Sequence, residues 1–154
     1  MKIGECKLQS GFRSFVFLSL VLAFQFAASA FATEPPITAM AFAPDGESVV
    51  AASQSGLQVL SWPALDRQRT IKTSASNLHC VEFSPDGKRL AVGGGNPSED
   101  GIVELISWPT GEPLSTFNGH SDSVRSVAWI DESRFLTASI DREIHLWDSG
   151  IQGK

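Results

Sequence analysis

Gly119-His120 and Trp147-Asp148 bracket a stretch of 30 residues in which Asp141 stands six positions before the tryptophan. No other feature constrains the fold as strongly, because the residues between are patterned as short strands joined by tight turns. Val124, Val127 and Trp129 mark one apolar run and Phe135-Leu136-Thr137-Ala138-Ser139 a second, split by Ile130-Asp131-Glu132-Ser133. After Asp141-Arg142, the segment Glu143-Ile144-His145-Leu146-Trp147 alternates polar and apolar, which is the period-two pattern of a half-buried strand.

Two earlier segments carry the same pattern. Residues Ile37 to Ala52 read ITAMAFAPDGESVVAA, and Leu78 to Val92 read LHCVEFSPDGKRLAV. Their Pro44-Asp45-Gly46 and Pro85-Asp86-Gly87 turns lie 41 residues apart. In such a turn proline presets φ, the aspartate bonds nearby backbone, and glycine accepts positive φ. The third copy has Asp131-Glu132-Ser133 at this place, a weaker turn by composition. The stretch Gly93 to Gly101 reads as a flexible loop inserted between the second and third turns.

Together, the Gly-His pair, the turn aspartate, the Trp-Asp ending and a spacing close to the 40–45 residues of such repeats resemble a WD-repeat β-propeller. The resemblance covers roughly residues 37–148. It implies an all-β fold: a partial propeller of about three four-stranded blades, the last one incomplete, from repeats at about 37–72, 73–118 and 119–150. It also implies a hydrogen-bonded tetrad of His120, Asp141, Trp147 and a hydroxyl on the middle strand, Ser139 or Thr137, with Ser139 taken as the member. Asp141 would accept from the imidazole, whose other nitrogen serves the hydroxyl, and the indole N–H also needs a partner once buried. The first two copies depart from this pattern. The second has Ser74 where the third has His120; Ile106 and Leu60 fill the Trp147 position, and Trp62 and Trp108 follow two residues later, each in Ser-Trp-Pro.

Residues 1–32 read as a signal helix. Lys2, Lys7 and Arg13 precede an apolar run from Phe15, and small-x-small cleavage sites end at Ala30 and Ala32. An uncleaved membrane anchor is the alternative, since residues 15–32 are 18 without a charge. Removal of the segment leaves Cys80 alone, which offers no internal disulfide and reads as a buried thiol. It also leaves 9 Lys and Arg against 16 Asp and Glu. An acidic surface with no basic cluster argues against nucleic acid, whose binding rests on neutralised phosphates.

Catalytic signals are sparse. His120, Asp141 and Ser139 match a nucleophilic triad by type, but the resemblance buries the serine in the sheet, and a nucleophile must meet substrate beside an oxyanion site. Glu143 and His145 supply two metal ligands where three or four are needed. Gly93-Gly94-Gly95 lacks the Lys-Ser/Thr of a phosphate loop. Trp129 aligns with Phe42 and Phe83 and is expected in the core, whereas Trp62 and Trp108 are expected to pack between blades. Neither a catalytic residue nor a cofactor is expected.

In the family that the chain resembles, partners bind one face of the ring, near the start of the first strand and just before the turn aspartate. The matching positions are Ser123, Arg125 and Ile140 in the third copy and Asn77 and His79 in the second, with Arg125 the leading candidate because arginine is a frequent interface anchor. The expected function is a non-catalytic interaction or scaffold module, exported to the periplasm or medium, with a protein or peptide partner. Three blades fall short of the four to eight that close a ring, so three arrangements are open: part of a longer propeller, copies assembling into one ring, or an open arc. The alternatives in function are a piece of a longer exported enzyme or redox protein, or a truncated reading frame without a task of its own.

Overall fold

The structure, a computed structural model, describes residues 34–150. The expected signal helix and its cleavage sites at Ala30 and Ala32 lie outside the described residues. Among those described, no helix is long and apolar enough to cross a membrane.

Among the described residues, eleven strands form three antiparallel sheets, each following chain order as a meander. Blade 1 comprises β1 (Ile37–Phe42), β2 (Ser48–Ser53), β3 (Gly56–Ser61) and β4 (Arg67–Ile71). Blade 2 comprises β5 (Cys80–Phe83), β6 (Arg89–Gly94), β7 (Gly101–Ser107) and β8 (Pro113–His120). Blade 3 has β9 (Val124–Trp129), β10 (Arg134–Ser139) and β11 (Ile144–Asp148). The first strand of blade 2 lies against the first strands of both neighbours, β1 and β9.

The hairpins form because their turns satisfy their own backbone. Asp45 Oδ1 accepts from the Glu47 amide at 2.8 Å and Asp86 Oδ1 from the Lys88 amide at 3.1 Å, while Gly46 and Gly87 take φ of 72° and 70°. The third turn lacks proline and glycine but is tied more heavily by side chains. Asp131 Oδ1 accepts from the amides of Ser133 at 2.9 Å and Arg134 at 2.8 Å, and its other oxygen accepts the Arg134 guanidinium at 2.8 and 2.6 Å.

The apolar surface is buried between blades, as expected of sheets that have two faces and no other layer to cover them. One cluster joins blades 1 and 2 through Val50, Ala52, Leu57, Val59, Val81 and Leu90. A second joins blades 2 and 3 through Ala91, Val103, Leu105, Val124, Val127 and Phe135. Arg89 crosses the second junction while only 7% exposed: its guanidinium donates to Ser149 Oγ at 3.3 Å and to the Glu132 carbonyl, and it lies 5.6 Å from the Trp129 ring centre.

Two expectations need correction. Gly93 and Gly94 are not loop residues; they end β6, fully in the sheet, and only residues 95–100 connect it to β7. Close packing is the reason: a Cβ on Gly93 would meet Cys80 Sγ at 2.5 Å and Val124 Cγ1 at 2.9 Å. The paired Ser-Trp-Pro segments also diverge. Trp108 packs at the first junction with Arg69 5.3 Å from its ring centre, but Trp62 is 48% exposed and touches Phe42 of its own blade edge-on.

Candidate functional site: the blade junction and the rim beside it

His120 ends β8 in blade 2, yet its side chain is bonded into blade 3. Nδ1 donates to Asp141 Oδ2 at 2.8 Å, and Nε2 accepts from Thr137 Oγ1 at 2.8 Å. The same hydroxyl oxygen accepts from Trp147 Nε1 at 2.7 Å. The fourth partner is therefore Thr137, not Ser139. Register decides between them. Thr137 sits opposite His145 in the ladder, whereas a bulge between Ala138 and Ser139 turns the serine away, so that its hydroxyl donates to the Asp122 carbonyl at 2.7 Å. Without a bond to His120, that serine has no base to activate it.

Asp141 accepts two further bonds, from the amides of Ser121 at 3.1 Å and Glu143 at 2.9 Å. Burial pushes its carboxyl up, but the Glu143 amide, the His120 imidazole and the Ser121 amide outweigh it and hold the group at about 2. His145 stacks on His120, 4.0 Å between ring centres, and its Nε2 bonds Glu143 Oε2 at 2.9 Å. These two side chains thus engage one another; among the described residues no group of three or more His, Cys, Asp or Glu could hold a metal ion.

The first junction has its own polar fastener, which sequence reasoning missed. Ser74 lies after β4, and both its amide and its hydroxyl donate to Glu104 Oε2, at 2.7 and 3.0 Å. Glu104 is 3% exposed. A lone glutamate in the apolar run Ile102-Val103-Glu104-Leu105-Ile106 was the available signal.

Beside the second junction lies a rim formed by the heads of the inner strands. Arg125 is exposed and its Nη1 donates to His79 Nδ1 at 3.2 Å, its one hydrogen-bond partner among the described residues. Burial, then the positive charge of Arg125, hold His79 below the usual imidazole value. Ile140 is 44% exposed, and its amide donates to the Ser123 carbonyl at 3.2 Å. Asn77 is spent on Asn96, donating to its Oδ1 at 2.9 Å. Ser123 departs from the expectation of a partner-facing residue. It is fully buried, and its hydroxyl donates to the Gly95 carbonyl at 3.2 Å, closing a backbone acceptor that would otherwise lack a partner.

Cys80, on the inner strand between the two junctions, has its thiol pushed up to about 12 by burial and is therefore un-ionised and inert at neutral pH. Burial likewise pushes the Glu82 carboxyl up, and its Oε2 is buried without a partner.

The chain matches the family model "WD domain, G-beta repeat" over residues 66–107 and 111–148. It is 30% identical over 126 residues to the UBP9-binding protein bun62 of Schizosaccharomyces pombe, covering 77% of this chain and 22% of that protein. It is 31% identical over 118 residues to actin-interacting protein 1 of Caenorhabditis elegans, covering 73% and 19%. The chain thus spans about a fifth of the length of these relatives. Among solved structures, the WD40 repeats of RRP9 superpose with a TM-score of 0.65 at 24% identity, covering 75% of this chain and 36% of that one. Hydrazine synthase of Kuenenia stuttgartiensis does so with a TM-score of 0.59 at 24% identity, covering 64% and 30%. Both likenesses are of fold.

Proposed function

The chain belongs to the WD-repeat family, and on that premise we propose that it is a non-catalytic protein-interaction module whose partner docks at the rim around Arg125. The observation that carries this reading is the state of that arginine. It is exposed and bonded only to a neutral ring nitrogen among the described residues, which leaves its remaining guanidinium donors free for a carboxylate or carbonyl of another protein. Ile140 adds an exposed apolar contact on the same rim. Two relatives are named for protein binding, one for UBP9 and one for actin, which supports protein as the class of ligand. The polar residues at the second junction are bonded to one another, which favours a structural role for them over catalysis.

Affinity capture from the source cells tests the rim. The wild-type chain is expected to retain a discrete protein that Arg125→Glu loses at an unchanged melting temperature. Equal capture by both chains would sink the assignment, and loss of soluble Arg125→Glu would mark the arginine as structural.

Export belongs to the same reading, supported by Lys2, Lys7 and Arg13 ahead of the apolar run and by the alanine-rich stretch ending at Ala30 and Ala32. The mature protein is expected to begin at Thr33 or Phe31 on N-terminal sequencing; Met1 at the terminus would instead mean that the segment is retained.

A further inference from the structure

Arg125 and His79 fix each other's chemistry. The guanidinium, on β9, donates through Nη1 to Nδ1 of His79, the residue just before β5, at 3.2 Å. A ring nitrogen that accepts a hydrogen bond is unprotonated, so the hydrogen of the neutral imidazole sits on Nε2. Nε2 has no partner among the described residues, and Arg125 keeps its remaining donors. The pair therefore offers the rim donors and no acceptor, together with a permanent positive charge.

Among the described residues no carboxylate pairs with either side chain. Of the strands packed against β5, β1 and β2 carry no charged residue, and β9 carries only Arg125. The charge on β6 is Arg89, at the far end of that strand from Gly93, whose carbonyl accepts from the His79 amide. Glu82, on β5 itself, acts on the Cys80 thiol. The flanking turns bring Asp100 and Asp122, whose carboxylates accept from the amides of Asn96 at 2.8 Å and Ser123 at 2.7 Å. Burial and then the charge of Arg125 hold His79 below its ordinary value, so the ring is neutral at neutral pH.

Resting on the rim as the docking site, we propose that this pair seats a carboxylate from an acidic segment of the partner protein, and that the seat tightens as pH falls. A carboxylate only accepts, which matches a pair that only donates. It also supplies the opposite charge that makes a bond to guanidinium strong, which a neutral carbonyl does not. Once bound, its charge favours the protonated imidazole, so proton uptake by His79 and binding of the segment reinforce each other. Protonation removes the bond from Arg125 to Nδ1. It also frees that donor for the carboxylate and makes the imidazole's own bond charge-assisted.

The probe is a short capped peptide of glutamate and serine, with a counterpart in which glutamine replaces glutamate. Both are titrated into the chain at about pH 7.5 and about pH 5.5, a window in which glutamate stays ionised and imidazole titrates. The glutamate peptide is expected to bind about tenfold more tightly at the lower pH, and to move the His79 titration upward by NMR. The glutamine peptide should bind more weakly and gain nothing from acid. In His79→Gln the glutamate peptide should keep one affinity at both pH values. The proposal is overturned by a glutamate peptide that does not bind or binds no better than its counterpart. It is equally overturned by an acid gain that persists in His79→Gln, or by a His79 titration that the peptide leaves in place. The rim itself is judged separately, by the protein that the wild-type chain captures and Arg125→Glu loses. That capture without a peptide effect would keep the rim and discard the acidic partner, and failure of the capture would discard both.

Discussion

The two blade junctions do the same work with different chemistry. At both, the end of one blade's outer strand is held to the next blade by a polar group within a mostly apolar seam. At the first junction one buried carboxylate does this: Glu104 accepts twice from Ser74, and the neighbouring ladder positions are the apolar Val92 and Ile106. At the second, His120 reaches across to Asp141 and Thr137, and Trp147 closes the set. One bond to a backbone amide needs no particular side chain from the partner strand. A network of four side chains needs all of them, because a half-satisfied buried network is worse than none. The first junction can therefore diverge in sequence with little loss, and the second cannot.

That contrast can be broken at Trp147, where the largest effect is expected. Its ring packs 5.4 Å from Phe117 of blade 2, and its N–H supplies the Thr137 hydroxyl. Trp147→Ala should lower unfolding free energy by about 3 kcal/mol or more in chemical denaturation, through lost packing and the loss of one of the two bonds to the Thr137 hydroxyl. His120→Ala should cost about 1–3 kcal/mol, because the carboxylate of Asp141 and the hydroxyl of Thr137 each lose one of their partners within the buried network. Ser74→Ala should cost less, since the Ser74 amide still donates to Glu104. Equal losses in His120→Ala and Ser74→Ala would dissolve the distinction between the junctions.

Acid sharpens the same comparison. The carboxyl of Asp141 is held at about 2, below its ordinary value of 3.8, so the folded state prefers it ionised. Its contribution is complete above about pH 4 and is lost as pH falls toward about 2. Thermal melts across that window should show a decline that Asp141→Asn flattens. An unchanged slope in the variant would mean that the acid sensitivity lies elsewhere.

The fold was legible because its punctuation is local. Pro-Asp-Gly turns and two-residue alternation place hairpins without knowledge of any tertiary contact, and the register keeps Ile106 and Leu60 at the Trp147 position. What sequence could not separate were residues of like chemistry two apart on one strand. Thr137 and Ser139 both suit the tetrad by type, and a bulge decides between them. Trp62 and Trp108 sit in the same tripeptide, yet Arg69 of blade 1 covers only the second. Ser123 looked like a rim residue because the carbonyl that its buried hydroxyl meets, that of Gly95, lies 28 positions earlier. The matched repeats show why such links hide. Residues 111–148 run from the outer strand of blade 2 through all of blade 3, so a repeat in sequence straddles two sheets in space and its histidine belongs to one sheet while serving the other.

The smallest effect is expected at Arg125, where the rim and the junction part ways. Its side chain is exposed and shares one hydrogen bond, so Arg125→Ala should change stability by no more than about 0.5 kcal/mol. His79 gives the readout that stability does not. Burial and then the Arg125 charge hold its imidazole below 6.5, which means the folded state resists protonating it and loses stability as pH falls through that value. Removing the arginine lifts the second cause and leaves the first, so the His79 titration followed by NMR should move upward but stay below 6.5. The acid-side loss of stability should shrink with it. A His79 titration that does not move would mean that the two side chains are not paired in solution, and the rim would then present two independent groups rather than one.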